Sequence, residues 1–339
     1  MKKIVALFLV AAIAAGLSAC GSSKEVLKVF NDGSYIDKSV ITDFEKEYNV
    51  KVVYDEYSTN EEMYAKVSTG SSGYDVVVPS DYMVDRMEQE GMLAQIDKTA
   101  ITNFGQIAPE YLAPSYDPNN DYSIPYMVGT LGIIYNKTMV SAPPTSWSAM
   151  WDPQYKGEIL MWDSMRDTMC AAQKLLGFSV NTEDDAQLAQ VKQKLIEQKP
   201  LVQAYVGDET KDKMVGGEAA MALLYSGDAY AATLENPDLD YVIPDEGSNK
   251  WVDSWCVLKT SQHVDLAEKW IDFMCRPDVA VKNMNATGYT SAIEGAWSSF
   301  PDNHIMFPTQ DELDRCEAYL YSKTAVDKYN NLWVQFRSQ

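Results

Sequence analysis

The stretch YDVVVP, residues 74–79, is an unbroken apolar run closed by a proline. Three consecutive valines leave no side of a strand for solvent, so a strand here must be covered on both faces. Ser80 and Asp81 follow, residue types that start helices, and the pattern beyond them predicts a capped helix running to Gly91. Before it, residues 27–30 read as a strand, and Ile36, Val40, Phe44 and Tyr48 recur every fourth position as on a helix. Residues 50–54 read as another strand, and Asn60 opens a helix with Glu61 and Glu62 in its first turn. Buried strands alternating with helices predict an α/β sheet.

After an irregular region at 99–120, residues 122–136 (YSIPYMVGTLGIIYN) are strand-like, with Gly129 and Gly132 expected to interrupt the run. The chain is expected to cross here into a second α/β lobe. That lobe has strands at 158–162 and 219–225 and helices at 166–176 and 183–198, the last with Leu188, Val191 and Leu195 inward. Residues 241–244 precede a polar stretch, then 251–258 read as a strand and 264–275 and 277–287 as helices, a return to the first lobe. Residues 310–336 read as helical and are expected to pack on the second lobe. The expected division is therefore 26–130 with 251–299 for lobe 1, and 131–250 with 300–339 for lobe 2.

The chain has 339 residues, 46% of them hydrophobic, enough for a real core and about two domains. Its 49 acidic and 28 basic residues give a formal charge of −21, which repels nucleic acid and anionic membranes and attracts small cations. The same charge would also serve plain solubility. Two distant histidines and cysteines without CxxC spacing give no zinc site, and no GxSxG or phosphate-cradling glycine loop is present. The pattern excludes the familiar constellations of an enzyme, and neither a metal nor a cofactor is expected.

Residues 1–20 begin with Lys2 and Lys3, continue with an apolar run too short to span a membrane, and end in Leu17, Ser18, Ala19 and Cys20. This resembles a lipoprotein signal peptide, which implies cleavage before Cys20, a lipid on its sulfur, and a polar tether at 21–25. The expected location is outside the cytoplasm, anchored to the bacterial membrane. Cys170, Cys256, Cys275 and Cys316 remain, with a disulfide or buried free thiols both open.

Several further strings occur together: STNEEMYAKVSTG (58–70), YDVVVPSDYMVDRMEQEGM (74–92), DPNNDYSIPYMVG (117–129), WDPQYKGEIL (151–160), WVDSW (251–255) and CRPDVA (275–280). Together they resemble the periplasmic spermidine- and putrescine-binding proteins of the PotD and PotF type. The resemblance implies the type II periplasmic binding protein fold, two α/β lobes with a ligand cleft between them, and delivery to the permease of an ABC importer by a monomeric binding protein.

Polyamine ammonium groups need carboxylates, and the methylenes between them suit aromatic faces; desolvating an unpaired ammonium costs several kcal/mol, more than the roughly 0.5–2 that one aromatic face returns. Trp251 and Asp253, two apart, share one face of a strand and match the family's tryptophan and ligand aspartate. Ser80 and Tyr82 match a polar residue and an aromatic of its cleft, with helix capping an equal role for Ser80. Asp167, after Arg166, stands where the family's ligand acid is found, although a glutamate is expected there, and Ser164 replaces another acid. Asp228 matches an acid of putrescine-type members, or is a helix cap; Tyr225 takes a usual tryptophan position; Tyr289 matches a site aromatic, or is a core or surface tyrosine. Tyr35 keeps an expected aromatic, whereas Asp32 stands at a position usually occupied by tryptophan, which is expected to shift selectivity. Putrescine and spermidine both remain open, as does another solute in the same fold, such as a sugar or a metal; the iron binders' adjacent tyrosines are missing. A structural adhesin is the third class.

Overall fold

A computed structural model describes residues 24–300 and 302–338. The expected signal peptide, the lipidated Cys20 and tether residues 21–23 lie outside the described residues.

The apolar run at 74–79 is covered on both faces as expected: Val76, Val77 and Val78 are all buried. Strand β3 (Val76–Val77) pairs in parallel with β1 (Val26–Asp32), which pairs in parallel with β2 (Lys51–Tyr57). Between these strands run α1 (Lys38–Tyr48) and α2 (Asn60–Val67). Asp37 caps α1 by accepting the Ser39 N–H, and Thr59 caps α2 by accepting the Glu62 N–H, so a donor left open by the first turn is met in each. Helix α3 (Asp81–Gln89) follows β3.

The ten-stranded sheet runs β2-β1-β3-β9-β4-β7-β5-β6, with β8 (Leu239–Val242) and β10 (Thr290–Ser291) also paired to β4. Strand β4 (Ile124–Asn136) is a single strand of 13 residues. Its first part, to Thr130, pairs antiparallel with β9 (Lys250–Val257); from Leu131 it pairs with β7 (Met221–Tyr225), and from Ile133 with β8. The crossing strand is thus found where expected, but its glycines do not interrupt it. A Cβ on Gly129 would lie 2.4 Å from Trp251 Cζ2, and one on Gly132 2.4 Å from the Val242 carbonyl oxygen. They are glycines because neighbours press against the backbone.

Beyond the crossing, β5 (Ile159–Trp162) pairs in parallel with β7 and with β6 (Val202–Val206). Helices α4 (Met165–Leu175) and α5 (Asp185–Gln198) lie near their expected positions. Strand β6, helix α6 (Glu209–Val215) and helix α7 (Ser226–Glu235) are additions to the sequence reading. Helices α8 (Val264–Met274) and α9 (Pro277–Thr287) pack with β9 and α1, back on the first half of the sheet. A short α10 (Glu294–Trp297) follows. The expected long C-terminal helix is two pieces, α11 (Gln310–Asp314) and α12 (Lys323–Arg337), separated by irregular chain. Helix α12 buries Tyr329, Leu332 and Phe336 against Met169, Leu188, Val191 and Leu195 of α4 and α5, as expected for a segment returning to the second half. Among the described residues Cys170, Cys256, Cys275 and Cys316 are buried thiols that form no disulfide with one another. Among the described residues no helix is long and apolar enough to cross a membrane.

Candidate functional site

Where the carboxyl ends of β1, β3, β5 and β7 meet β9, side chains from both halves of the sheet converge. Asp32 ends β1, Ser80 follows β3, Trp162 ends β5 and Tyr225 ends β7. Trp251 and Asp253 come from β9, whose backbone touches Ser80 through an isolated bridge at Asp253.

The cluster is a chain of tyrosine–aspartate pairs. Tyr35 Oη donates to Asp253 Oδ2 at 2.8 Å, Tyr289 Oη to Asp228 Oδ2 at 2.8 Å, and Tyr225 Oη to Asp167 Oδ2 at 2.7 Å. Tyr319 Oη donates to the other Asp167 oxygen at 3.1 Å. The rings touch edge to face: Tyr35 to Tyr289 at 5.4 Å, Tyr289 to Trp251 at 5.4 Å, Trp251 to Tyr225 at 6.3 Å, and Tyr225 to Trp162 at 5.1 Å. Trp251 and Asp253, read from their period-two spacing as sharing a face, both reach this cluster. Among the described residues, Asp253 Oδ1 and Trp251 Nε1 are buried and find no hydrogen-bond partner.

Two glycines shape the aromatic wall. Gly129 leaves room for the Trp251 ring, and a Cβ on Gly227 would lie 2.3 Å from Tyr289 ring atoms. The rings therefore rest directly on backbone.

The alternatives left open in the sequence resolve locally. Ser80 stands at the N-cap of α3, yet its side chain makes no cap hydrogen bond; its Oγ accepts from Asn60 Nδ2 at 3.1 Å. Asp228 is in the first turn of α7, whose N-cap is Tyr225, so it is not a cap. Tyr289 is buried with its hydroxyl on Asp228, neither a surface residue nor one without a polar task. Asp167 is buried with both oxygens held by tyrosines. Tyr82 sits at the rim, its ring 6.4 Å from Tyr319 and its hydroxyl donating to Glu61 at 3.0 Å.

Burial dominates the electrostatics. It raises the Asp32 carboxyl to about 8, with the neighbouring Asp253 adding to the effect and the Gly33 N–H opposing it. Burial raises Asp253 to about 6, against the lowering influence of Ser80 and Tyr35. Asp228 rises to about 6 by burial, opposed by its Tyr289 hydrogen bond. Asp81, which was not anticipated, rises to about 8 for the same first reason. Among the described residues none of these four forms an ion pair. Several acids enclosed with aromatic rings and no bonded base have the chemistry that suits an organic cation. Among the described residues no group of three or more histidines, cysteines and acids is placed to hold a metal ion.

Sequence reasoning missed Tyr319, Trp162, Asp81 and the buried Arg166 as members of the cluster. Trp162 had a signal, its place at the carboxyl end of a parallel strand, where clefts form. Tyr319 had none, because it lies in the irregular chain that was read as helix.

Residues 39–303 match the family described as bacterial extracellular solute-binding protein. The chain is 37% identical over 281 residues to the spermidine/putrescine-binding periplasmic protein of Escherichia coli (strain K12), covering 82% of this chain and 81% of that one. Among solved structures, the spermidine/putrescine ABC transporter substrate-binding protein PotD of Streptococcus pneumoniae superposes with a TM-score of 0.82 at 34% identity, covering 93% of this chain and 99% of that one. The TpPotD lipoprotein of Treponema pallidum superposes with a TM-score of 0.86 at 31% identity, covering 93% of this chain and 100% of that one.

Proposed function

Because the chain belongs to the bacterial extracellular solute-binding proteins, we propose that it captures a polyamine, putrescine or spermidine, between its two lobes and delivers it to the permease of an ABC importer. It is a solute-binding protein and not an enzyme. The observation that carries the ligand class is the enclosed set Asp32, Asp228 and Asp253, without ion-pair partners among the described residues and walled by Tyr35, Tyr225, Trp251 and Tyr289. Ammonium groups meet the carboxylates, and the methylenes lie along the rings. In this reading Ser80 and Tyr82 line the rim, Asp167 is held by tyrosines to face the second ammonium, and Asp32 adds a charge at the Asp253 end.

We place the lobe boundary where β4 changes partners, between Thr130 and Leu131, and at the start of β9. Cys20 is proposed to carry a lipid that holds the folded body at the membrane, in keeping with the relative from Treponema pallidum described as a lipoprotein. Cys20→Ala would then move the protein from the detergent phase to the aqueous phase in a partition assay; an unchanged partition would remove the anchor from the proposal.

Titration calorimetry of the body lacking residues 1–20 tests the ligand. A dissociation constant near micromolar for a polyamine, about −8 kcal/mol, with no heat from neutral sugars is the expected outcome. Heat with a sugar and none with either polyamine would refute the ligand class and leave the family unchanged.

A further inference from the structure

Helix α3 carries side chains toward the other half of the molecule. Tyr82 and Arg86 stand four residues apart and so share one face of it. The Tyr82 ring lies 6.4 Å from that of Tyr319, and the Arg86 guanidinium lies 5.4 Å from the Tyr321 ring centre. Tyr319 and Tyr321 belong to the irregular chain between α11 and α12, on the far side of the proposed lobe boundary. Tyr321 is half-buried, at the rim rather than in the enclosed acid cluster.

Arg86 is held in place by its own half. Its guanidinium lies 3.6 Å from the Tyr64 ring centre, and Nε donates to Glu90 Oε1 at 3.1 Å. Tyr64 Oη donates to Glu90 Oε2 at 2.6 Å, so ring, acid and base brace one another. Burial pushes the Glu90 carboxyl up, but its hydrogen bonds to Tyr64 and Arg86 and the charges of Arg86 and Lys323 outweigh that and hold it below its usual value. Lys323, the first residue of α12, adds its charge from across the boundary. An exposed pair ordinarily loses much of its attraction to the ordering of two long side chains. Here one partner is ordered beforehand, and the flat, permanently charged guanidinium suits a second ring.

We propose that Arg86 and Tyr321 form a clasp at the rim of the cleft that holds the two lobes together and slows the escape of a captured ligand. The contact joins the halves, so it exists only while they are together. An interaction present in one state and absent in the other shifts the equilibrium between them by its own free energy. Both are positioning residues, acting through closure rather than by meeting the ligand. A solute that lets the lobes meet gains the clasp, and one that props them apart does not, so the contact adds discrimination by size. The inference rests on the two-lobe capture reading and adds a pair of residues outside the acid cluster.

Stopped-flow tryptophan fluorescence on the body lacking residues 1–20, with putrescine and with spermidine as probes, separates association from dissociation. Tyr321→Leu is expected to raise the dissociation rate about two- to fivefold, the scale of one exposed cation–π contact. The association rate and the urea midpoint of the empty protein should stay as in wild type. Tyr321→Phe keeps the ring and should keep the wild-type dissociation rate. In an Arg86→Met background Tyr321→Leu should add nothing, because the cation is gone. A dissociation rate that Tyr321→Leu leaves unchanged, a phenylalanine variant that releases ligand as fast as the leucine one, or a full effect of Tyr321→Leu without Arg86 overturns the clasp while the capture reading stands. A wild-type protein that gives no fluorescence change and no heat with either polyamine overturns the clasp together with the polyamine reading, since nothing is then captured for it to hold.

Discussion

Substituting Gly227 by alanine adds one methyl group where the aromatic wall rests on backbone. The new Cβ would lie 2.3 Å from Tyr289 Cγ and Cδ1 and 2.5 Å from Cδ2. Carbon atoms settle at about 3.5–4 Å, so the ring must retreat by roughly 1 Å. Its edge-to-face contacts with Tyr35 and Trp251, each 5.4 Å away, leave little slack. Two effects oppose each other. Alanine in place of glycine within α7 favours the helix by at most about 1 kcal/mol, whereas forcing a methyl into a filled core costs about 1–3 kcal/mol. The clash wins, and a net loss of at least about 1 kcal/mol in stability is expected. Ligand binding should suffer more, because a displaced Tyr289 lets go of Asp228, a hydrogen bond to a charged group that contributes about 1.5–3 kcal/mol. Urea unfolding gives the first quantity, and calorimetry with the better-bound polyamine gives the second as a loss of about tenfold or more. A Gly227→Ala protein with an unfolding midpoint at or above wild type and undiminished affinity would refute the reasoning.

Asp253→Asn keeps the shape and the acceptor for Tyr35 but removes a buried charge, so polyamine affinity should fall about a hundredfold, in the range found for truncated buried charge pairs; calorimetry within threefold of wild type would contradict it. Asp32, at about 8, and Asp228 and Asp253, at about 6, all sit above the unfolded carboxyl value near 4. The folded empty protein therefore holds extra protons, and the stability these groups contribute is full below about pH 4 and is lost as pH rises, to about 6 for Asp228 and Asp253 and on to about 8 for Asp32, by up to about 1.4 kcal/mol per pH unit for each titrating group. Cation affinity should run the other way, rising over the same window as the carboxyls ionise; thermal melts and titrations at pH 5.5 and 8.5 check both slopes, and an affinity that falls with pH would count against the carboxylates as the binding groups. Tyr319→Phe removes one of the two hydroxyls on Asp167 and should lower stability by about 1.5–3 kcal/mol; an unfolding midpoint equal to wild type would show that this bond contributes nothing.

Elements buried on both faces are legible because their composition leaves no other solution. Val76, Val77 and Val78 are one case, and the stripe Ile36, Val40, Phe44 is another, all of them buried. Strand β6 escaped because it is the outer strand of the sheet, with Gln203 exposed and only Val206 fully buried, so it carries no continuous apolar run. Gly129 and Gly132 misled for a different reason. A glycine that breaks a strand and a glycine that makes room for Trp251 or the Val242 carbonyl are the same letter, and only the partner across the sheet tells them apart. In the site, the spacing of Trp251 and Asp253 places both on one face without any relative for comparison. The other members came from the resemblance, because residues such as Asp228 and Tyr289 lie 61 positions apart and meet only through the fold. Arg166 was legible as a neighbour of Asp167, but its place over the Tyr319 ring is a property of packing.

Burying several carboxylates together without a base is an unfavourable arrangement for a protein that needed only to fold. The raised Asp32, at about 8, and Asp81, at about 8, mean that near neutral pH the empty cleft holds protons where a counter-ion would otherwise be required. A cationic ligand then replaces those protons, and among the carboxylates it meets Asp253 and Asp228 are already fixed in place by tyrosine hydroxyls. The exchange discriminates by charge before any contact with shape: a neutral sugar leaves the protons where they are and gains only the aromatic faces, at about 0.5–1.5 kcal/mol for a good ring contact, whereas an ammonium converts an unfavourable enclosure into an ion pair. Selectivity among amines cannot come from this step, since every ammonium performs it equally. It must come from the separation of the carboxylates along the aromatic wall, from Asp253 and Asp228 to Asp167, which sets how far apart a second ammonium must lie.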